Sequence, residues 1–145
     1  MNEQNEALSR RFFEEVCNER RLEVADEIIS SDHVFHEPQT PISAPGPQGV
    51  KDAVRIYQEG LDGRWDVKDV MSDGDRVVTR WVGHGVHNSE LMGIAPTGRE
   101  IHVDAITIHR IADGQIAEDW TVWDALGLLQ QLGVVPSPDA AAAAS

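Results

Sequence analysis

The hydrophobic pattern of this chain changes period once, near residue 64, and that change bounds its fold. Before it, apolar residues recur at helical spacing. Leu8, Phe12, Phe13 and Val16 share a face over 5–17, Leu22, Ala25 and Ile29 over 21–30, and Val50, Val54, Tyr57 and Leu61 over 49–61. After it, side chains alternate with a period of two over 64–70, 76–87, 100–111 and 116–123. Asp73-Gly74-Asp75 and Asp113-Gly114 supply tight turns between successive strands. Asp124 caps a closing helix, in which Leu126, Leu129 and Leu132 are expected to pack and which Gly133 ends. In the helical half, 33–37 alternates as a short strand ended by Pro38, and the Pro-rich stretch 38–48 is a loop.

Helices gathered against a later run of antiparallel strands give the α+β class. The expected architecture is a cone-shaped α+β barrel: N-terminal helices packed on a strongly curved, mostly antiparallel sheet with an internal pocket. One domain covers 1–135, and the Ala-rich tail 136–145 is expected to be disordered. The formal net charge of -13 argues against nucleic acid and anionic membranes as partners, because both need clustered Lys and Arg. No apolar run of membrane-spanning length occurs, and the polar, acidic first residues are unlike a signal peptide. A lone cysteine, Cys17, forms no internal disulfide and suits the cytoplasm. No Cys cluster or helical His pair is present, and His84 and His87 point to opposite faces of a strand, so neither metal nor cofactor is expected. The expected partner is a small molecule.

The residues able to move protons cluster in a few places. His109 and Asp119 oppose each other if Thr107 faces Thr121 across the last hairpin, since alternate residues share a face. A carboxylate there is expected to raise the imidazole pKa and fix its tautomer, as a general base requires. The plainer alternative is a solvated pair at the hairpin mouth. His33, Phe35 and Glu37 share one face of the short strand, and a Glu in an apolar pocket gains an elevated pKa and can donate a proton. Asp104 lies mid-strand: strict alternation turns it outward, and a β-bulge would turn it inward to pair with Glu37. Four tryptophans include Trp81 and Trp123, candidates to bound a cavity for a flat or polyene-like substrate, or else core packing.

Three stretches together are familiar: Gly93-Ile94-Ala95-Pro96-Thr97-Gly98-Arg99, then Ile108-His109-Arg110-Ile111-Ala112-Asp113-Gly114-Gln115, then Trp123-Asp124-Ala125-Leu126-Gly127. They closely resemble the SnoaL-like polyketide cyclases, of the nuclear transport factor 2-like fold, most strongly over about 90–135. The resemblance implies the pocketed fold, and an activity among cyclases, isomerases, epoxide hydrolases, dehydratases and non-catalytic binders. The aromatic polyketide cyclases of that family place an Asp on the last strand beside a His on the preceding one. Those places fall on Thr121 and Thr107 here, and neither exchanges a proton near neutral pH. That departure points away from aldol-type ring closure. It leaves a cofactor-independent cyclase or isomerase working through Glu37, Asp119, Asp104 and His109, with an epoxide hydrolase or dehydratase and a binding module as alternatives. Ile106 and Ile108, if on the outer sheet face, fit a homodimer or simple core packing.

Overall fold

Asn2 opens the first helix: its side chain accepts from the Asn5 N–H at 3.1 Å. Glu3 and Glu6 lie in the first turn, and Arg10 and Arg11 in the last, each complementing the helix dipole. In the computed structural model, which describes residues 2–40, 42 and 44–136, α1 (Glu3–Arg11) runs straight into a π-helical segment (Phe12–Asn18). That wider coil carries Phe13, Val16 and Cys17 into the core. A 3-10 turn (Leu22–Val24) leads to the short α2 (Ala25–Ile28) and then directly to β1 (Ile29–His36).

The sequence pattern carried a helix through residue 30. The structure starts a strand at Ile29 instead, because Ile29 pairs with Ile116 on a distant strand. After the loop come α3 (Gly46–Leu61), β2 (Arg64–Asp73), β3 (Arg76–Val86), β4 (Glu100–Ala112), β5 (Gln115–Trp123) and α4 (Ala125–Gln131). The turn between β4 and β5 has Asp113 at φ 52° and Gly114 at φ 75°, the left-handed pair that a two-residue hairpin needs. In β2 a register shift between Val67 and Asp69 moves the inward set from Trp65 and Val67 to Val70.

The strands form one sheet in the order β1-β5-β4-β3-β2. β1 runs parallel to β5, and the other pairs are antiparallel. The sheet is curved but does not close into the expected barrel, since β1 and β2 are its two edges. Helices fill the gap: the π-helical segment packs on β2, α3 packs on β1, and the two helices touch each other. Phe13, Val16, Ile28, Val54, Trp65, Val77, Trp81 and Ile116 make the main core between helices and sheet. A second cluster of Leu61, Leu91, Ile101, Val103, Leu128 and Leu132 seals the end where α4 folds back.

Asp124 caps α4 by accepting from the Gly127 N–H at 2.8 Å. Leu126 is exposed rather than packed, because Leu128 and Leu132 take the inward side of that helix. Of the expected disordered tail, Pro136 is exposed and 137–145 lie outside the described residues. Among the described residues no helix is long and apolar enough to cross a membrane.

Candidate active site

The concave face of the sheet, α3 and the aromatic end of the first helix surround a cavity. Its wall is almost wholly apolar: Phe12, Phe13, Phe35, Val54, Trp65 and Val103 are among the lining residues. The inward face of each strand places a few polar groups into this wall. β1 and the residue after it contribute Phe35 and Glu37, β3 contributes Trp81, β4 contributes Thr107 and His109, and β5 contributes Asp119, Thr121 and Trp123.

The register expected for the last hairpin is the one observed, with Thr107 opposite Thr121 and His109 opposite Asp119. Asp104 is not part of the site. β3 and β4 pair without a bulge from Arg76 to Val86, so alternation holds, and Asp104 stands exposed on the outer face opposite Val82. His33 sits behind the cavity wall, where its Nε2 lies 3.1 Å from Asp119 Oδ2 and both side chains are buried. It lines a smaller hollow beyond β1 that shares Phe35, Glu37 and Thr40 with the main cavity.

Hydrogen bonds run in one direction along the sheet. The Trp81 indole can only donate, and it does so to Thr107 Oγ1 at 3.0 Å. Thr107 and Thr121 hydroxyls are 3.0 Å apart, and Thr121 Oγ1 lies 3.5 Å from Asp119 Oδ1. With the indole occupying an acceptor site on Thr107, that hydroxyl passes its own proton to Thr121, which turns toward Asp119. The carboxylate of Asp119 therefore has Thr121 on one oxygen and His33 on the other.

Glu37 is buried at the end of β1. Its carboxylate accepts from the Gln39 N–H at 2.7 Å and from the Thr40 hydroxyl, which also contacts the Tyr57 hydroxyl at 2.6 Å. Burial holds the Glu37 carboxyl above the usual carboxylate range. The Gln39 N–H and the Trp123 indole pull it part of the way back, and the charge of Asp119 pushes it up again. Burial also pushes the Tyr57 phenol up to about 12, so it stays neutral.

His109 departs from expectation. Its ring is buried at 1% exposure, and that burial pushes the pKa down to about 4 from 6.5. Asp119 raises it and His33 lowers it, both by less than burial does. The imidazole is therefore neutral at pH 7 rather than the raised-pKa base that the hairpin register suggested. Its Nδ1 is 2.8 Å from the hydroxyl of Ser9, which is itself fully buried on α1. Phe12 meets the ring edge-to-face at 5.4 Å, and Phe13 lies 5.9 Å away.

A stability effect follows. The unfolded chain takes a proton on His109 below about pH 6.5, while the folded chain does so only near pH 4. The contribution of His109 is thus whole above pH 6.5 and is lost as pH falls through that window. In urea unfolding between pH 7 and pH 4.5, the wild type is expected to lose about 2–3 kcal/mol more than His109→Phe. Equal losses in the two proteins would show that the buried imidazole is not the source. Glu37 acts in the opposite direction above about pH 4.5, but it is present in both proteins and cancels in the comparison.

Sequence reasoning missed Ser9 and Thr40, and it saw Tyr57 only as a core residue. Ser9 did leave a signal, a small hydroxyl on the apolar stripe next to Leu8 and Phe12. Thr40 sits in the Pro-rich loop, where no periodicity marks its direction. Among the described residues no group of three or more His, Cys, Asp and Glu converges as a metal site would require.

Fold and site together define a class: a small α+β protein whose curved sheet and helices enclose an apolar cavity lined by two carboxyl groups and a neutral imidazole. The chain belongs to the SnoaL-like polyketide cyclase family, whose profile matches residues 7–132. Among solved structures it is similar to IdmH from Streptomyces antibioticus, described as a candidate polyketide cyclase. The two are 32% identical with a TM-score of 0.76, over 90% of this chain and 99% of that one. It is also similar to TsrD from Streptomyces laurentii, at 26% identity and a TM-score of 0.82 over 93% and 99% of the two chains. A candidate polyketide cyclase from Acidithiobacillus ferrooxidans matches at 25% identity and 0.81 over 92% and 97%. A comparison with curated proteins returns no match.

Proposed function

We propose that this protein is a cofactor-independent cyclase or isomerase that folds a polyketide-like small molecule inside the apolar cavity and moves protons on it. The observation that carries this reading is the pairing of Glu37 with Asp119 in one cavity. Glu37 is held above the usual carboxylate range, so it keeps its proton to a higher pH than an ordinary carboxyl and can lend it to a substrate oxygen. Asp119, braced by His33 and Thr121, is the acceptor on the same wall. Water is displaced by the aromatic lining, which orders the substrate and strengthens each of these polar contacts. Arg64 is the one Lys or Arg side chain among the lining residues, so the cavity suits a neutral rather than an anionic substrate.

A second reading, a binding module without turnover, draws on Thr107 and Thr121. They hydrogen-bond to each other where family cyclases carry their proton-transfer pair. Melting the protein against polyketide-like lactones, polyenes, steroids and epoxides, with mass spectrometry on every ligand that raises the Tm, separates the readings. A stabilising ligand that turns over to a ring-closed or rearranged isomer supports the enzyme. Diol formation from an epoxide would instead make it an epoxide hydrolase, and loss of water would make it a dehydratase. Tight binding with no chemical change in any ligand would leave only the module.

For assembly we favour a homodimer through the outer sheet face. Ile106 (43% exposed) and Val122 (65% exposed) lie side by side there without cover, beside the part-buried Ile108. The single buried Cys17 fits a reducing compartment such as the cytoplasm.

A further inference from the structure

We infer that Ser9 is a positioning residue that holds His109 as its Nε2–H tautomer, so that the imidazole offers the substrate a hydrogen-bond donor rather than a base. The group it would meet is a neutral oxygen acceptor: a ketone or ester carbonyl, or an ether or epoxide oxygen. This rests on the reading of the cavity as an acid–base site and gives one of its groups a definite role.

The argument is one of hydrogen-bond accounting. Ser9 is 0% exposed, so its hydroxyl proton has no access to water and needs an acceptor within the fold. Among the described residues the one hydrogen-bond partner of that hydroxyl is His109 Nδ1, at 2.8 Å. If Nδ1 carried a proton, it would donate to Ser9, and the Ser9 proton would be left buried with no acceptor. If Nδ1 is bare, Ser9 donates to it and every proton is placed. The proton of a neutral ring then sits on Nε2.

The surroundings agree. Phe12 and Phe13 flank the ring and fix its plane, and they offer no competing acceptor to Nδ1. His109 lines the cavity together with Asp119, its cross-strand partner. Burial keeps the ring neutral at pH 7, so it has one N–H to offer and not two. A neutral imidazole that donates a hydrogen bond polarises a carbonyl without giving up its proton, which leaves the proton traffic to Glu37 and Asp119.

The test needs no substrate. Two-bond proton–nitrogen correlation spectra of the full ¹⁵N-labelled chain at pH 7 report the tautomer of each ring, and loss of one spin system in His109→Gln assigns it among the six histidines. The expected result is a protonated Nε2 and a bare Nδ1 for His109 in the wild type. Ser9→Thr, which keeps the hydroxyl, is expected to retain that pattern, and Ser9→Ala is expected to give a mixture of tautomers. A wild-type ring protonated at Nδ1, or a Ser9→Ala spectrum identical to wild type, would overturn the assignment. Should Ser9→Ala fail to fold, the wild-type tautomer alone decides. Because no turnover is measured, failure to find a substrate would count against the enzyme reading and not against this one.

Discussion

Glu37→Gln is expected to form product about 10²–10⁴-fold more slowly than wild type, with little change in KM, on whichever substrate the ligand panel yields. The glutamine keeps the size of the side chain, and its one oxygen can still accept from the Gln39 N–H, while its NH2 faces the Thr40 hydroxyl, which then turns to accept from it. What it lacks is a transferable proton. The fold should not suffer, because replacing a buried carboxyl with a neutral amide removes a desolvation cost. The expected signature is therefore a slow enzyme whose Tm is equal to or above that of wild type. A variant within threefold of the wild-type rate would withdraw Glu37 as the acid and leave Asp119 to account for proton transfer alone.

The second large effect concerns the wall rather than the chemistry. Phe13 is 1% exposed and touches Phe12 at 4.9 Å, Trp81 at 5.8 Å and His109 at 5.9 Å, ring centre to ring centre. It belongs both to the main core and to the cavity lining. Truncation to alanine cannot be healed by collapse, because the neighbouring space is already open. Phe13→Ala is expected to lose about 3–5 kcal/mol of stability, which for a domain of this size is a fall in Tm of about 10 °C. Urea denaturation gives the value directly, provided the m-value is unchanged. A loss below about 1 kcal/mol would mean that the N-terminal helix is not part of the cooperative core.

The second half of the chain was legible because its information is local. Asp113-Gly114 fixes a two-residue turn, but counting back from it alone would set His109 against Glu118; a register shift between Arg110 and Ile111 moves the pairing by one, to Thr107 against Thr121 and His109 against Asp119, the register that the family resemblance implied. Simple alternation turns Asp104 outward, since nothing in its pairing with β3 interrupts it. What could not be read was long-range. Nothing near Ile29 says that its partner is Ile116, so the strand was started four residues late and its parallel pairing was not foreseen. His33 was placed on the correct face, but its bond to Asp119 depends on that pairing. The pKa of His109 was misjudged for a related reason. A neighbouring carboxylate is visible in a hairpin register, whereas the Phe12, Phe13 and Ser9 cover that removes water arrives from a helix about 100 residues away. Helices packed on a curved, mostly antiparallel sheet were legible from the order of the elements; that the sheet stays open, with the π-helical segment and α3 against its edge strands, depends on long-range contacts.

The parallel pairing of β1 with β5 also governs when the site can exist. Its two bracing partners, His33 and Asp119, are 86 residues apart. During synthesis the first helices and β1 leave the ribosome long before the strand they must join, so the sheet edge that β1 needs is the last to be made. No partly made chain carries the whole site, because Glu37 stands on the early segment and Asp119 on the late one. Contacts of such long sequence separation make for slow folding. The interval before β5 arrives, when β1 has no neighbour, is when this protein is most open to pairing with the wrong strand.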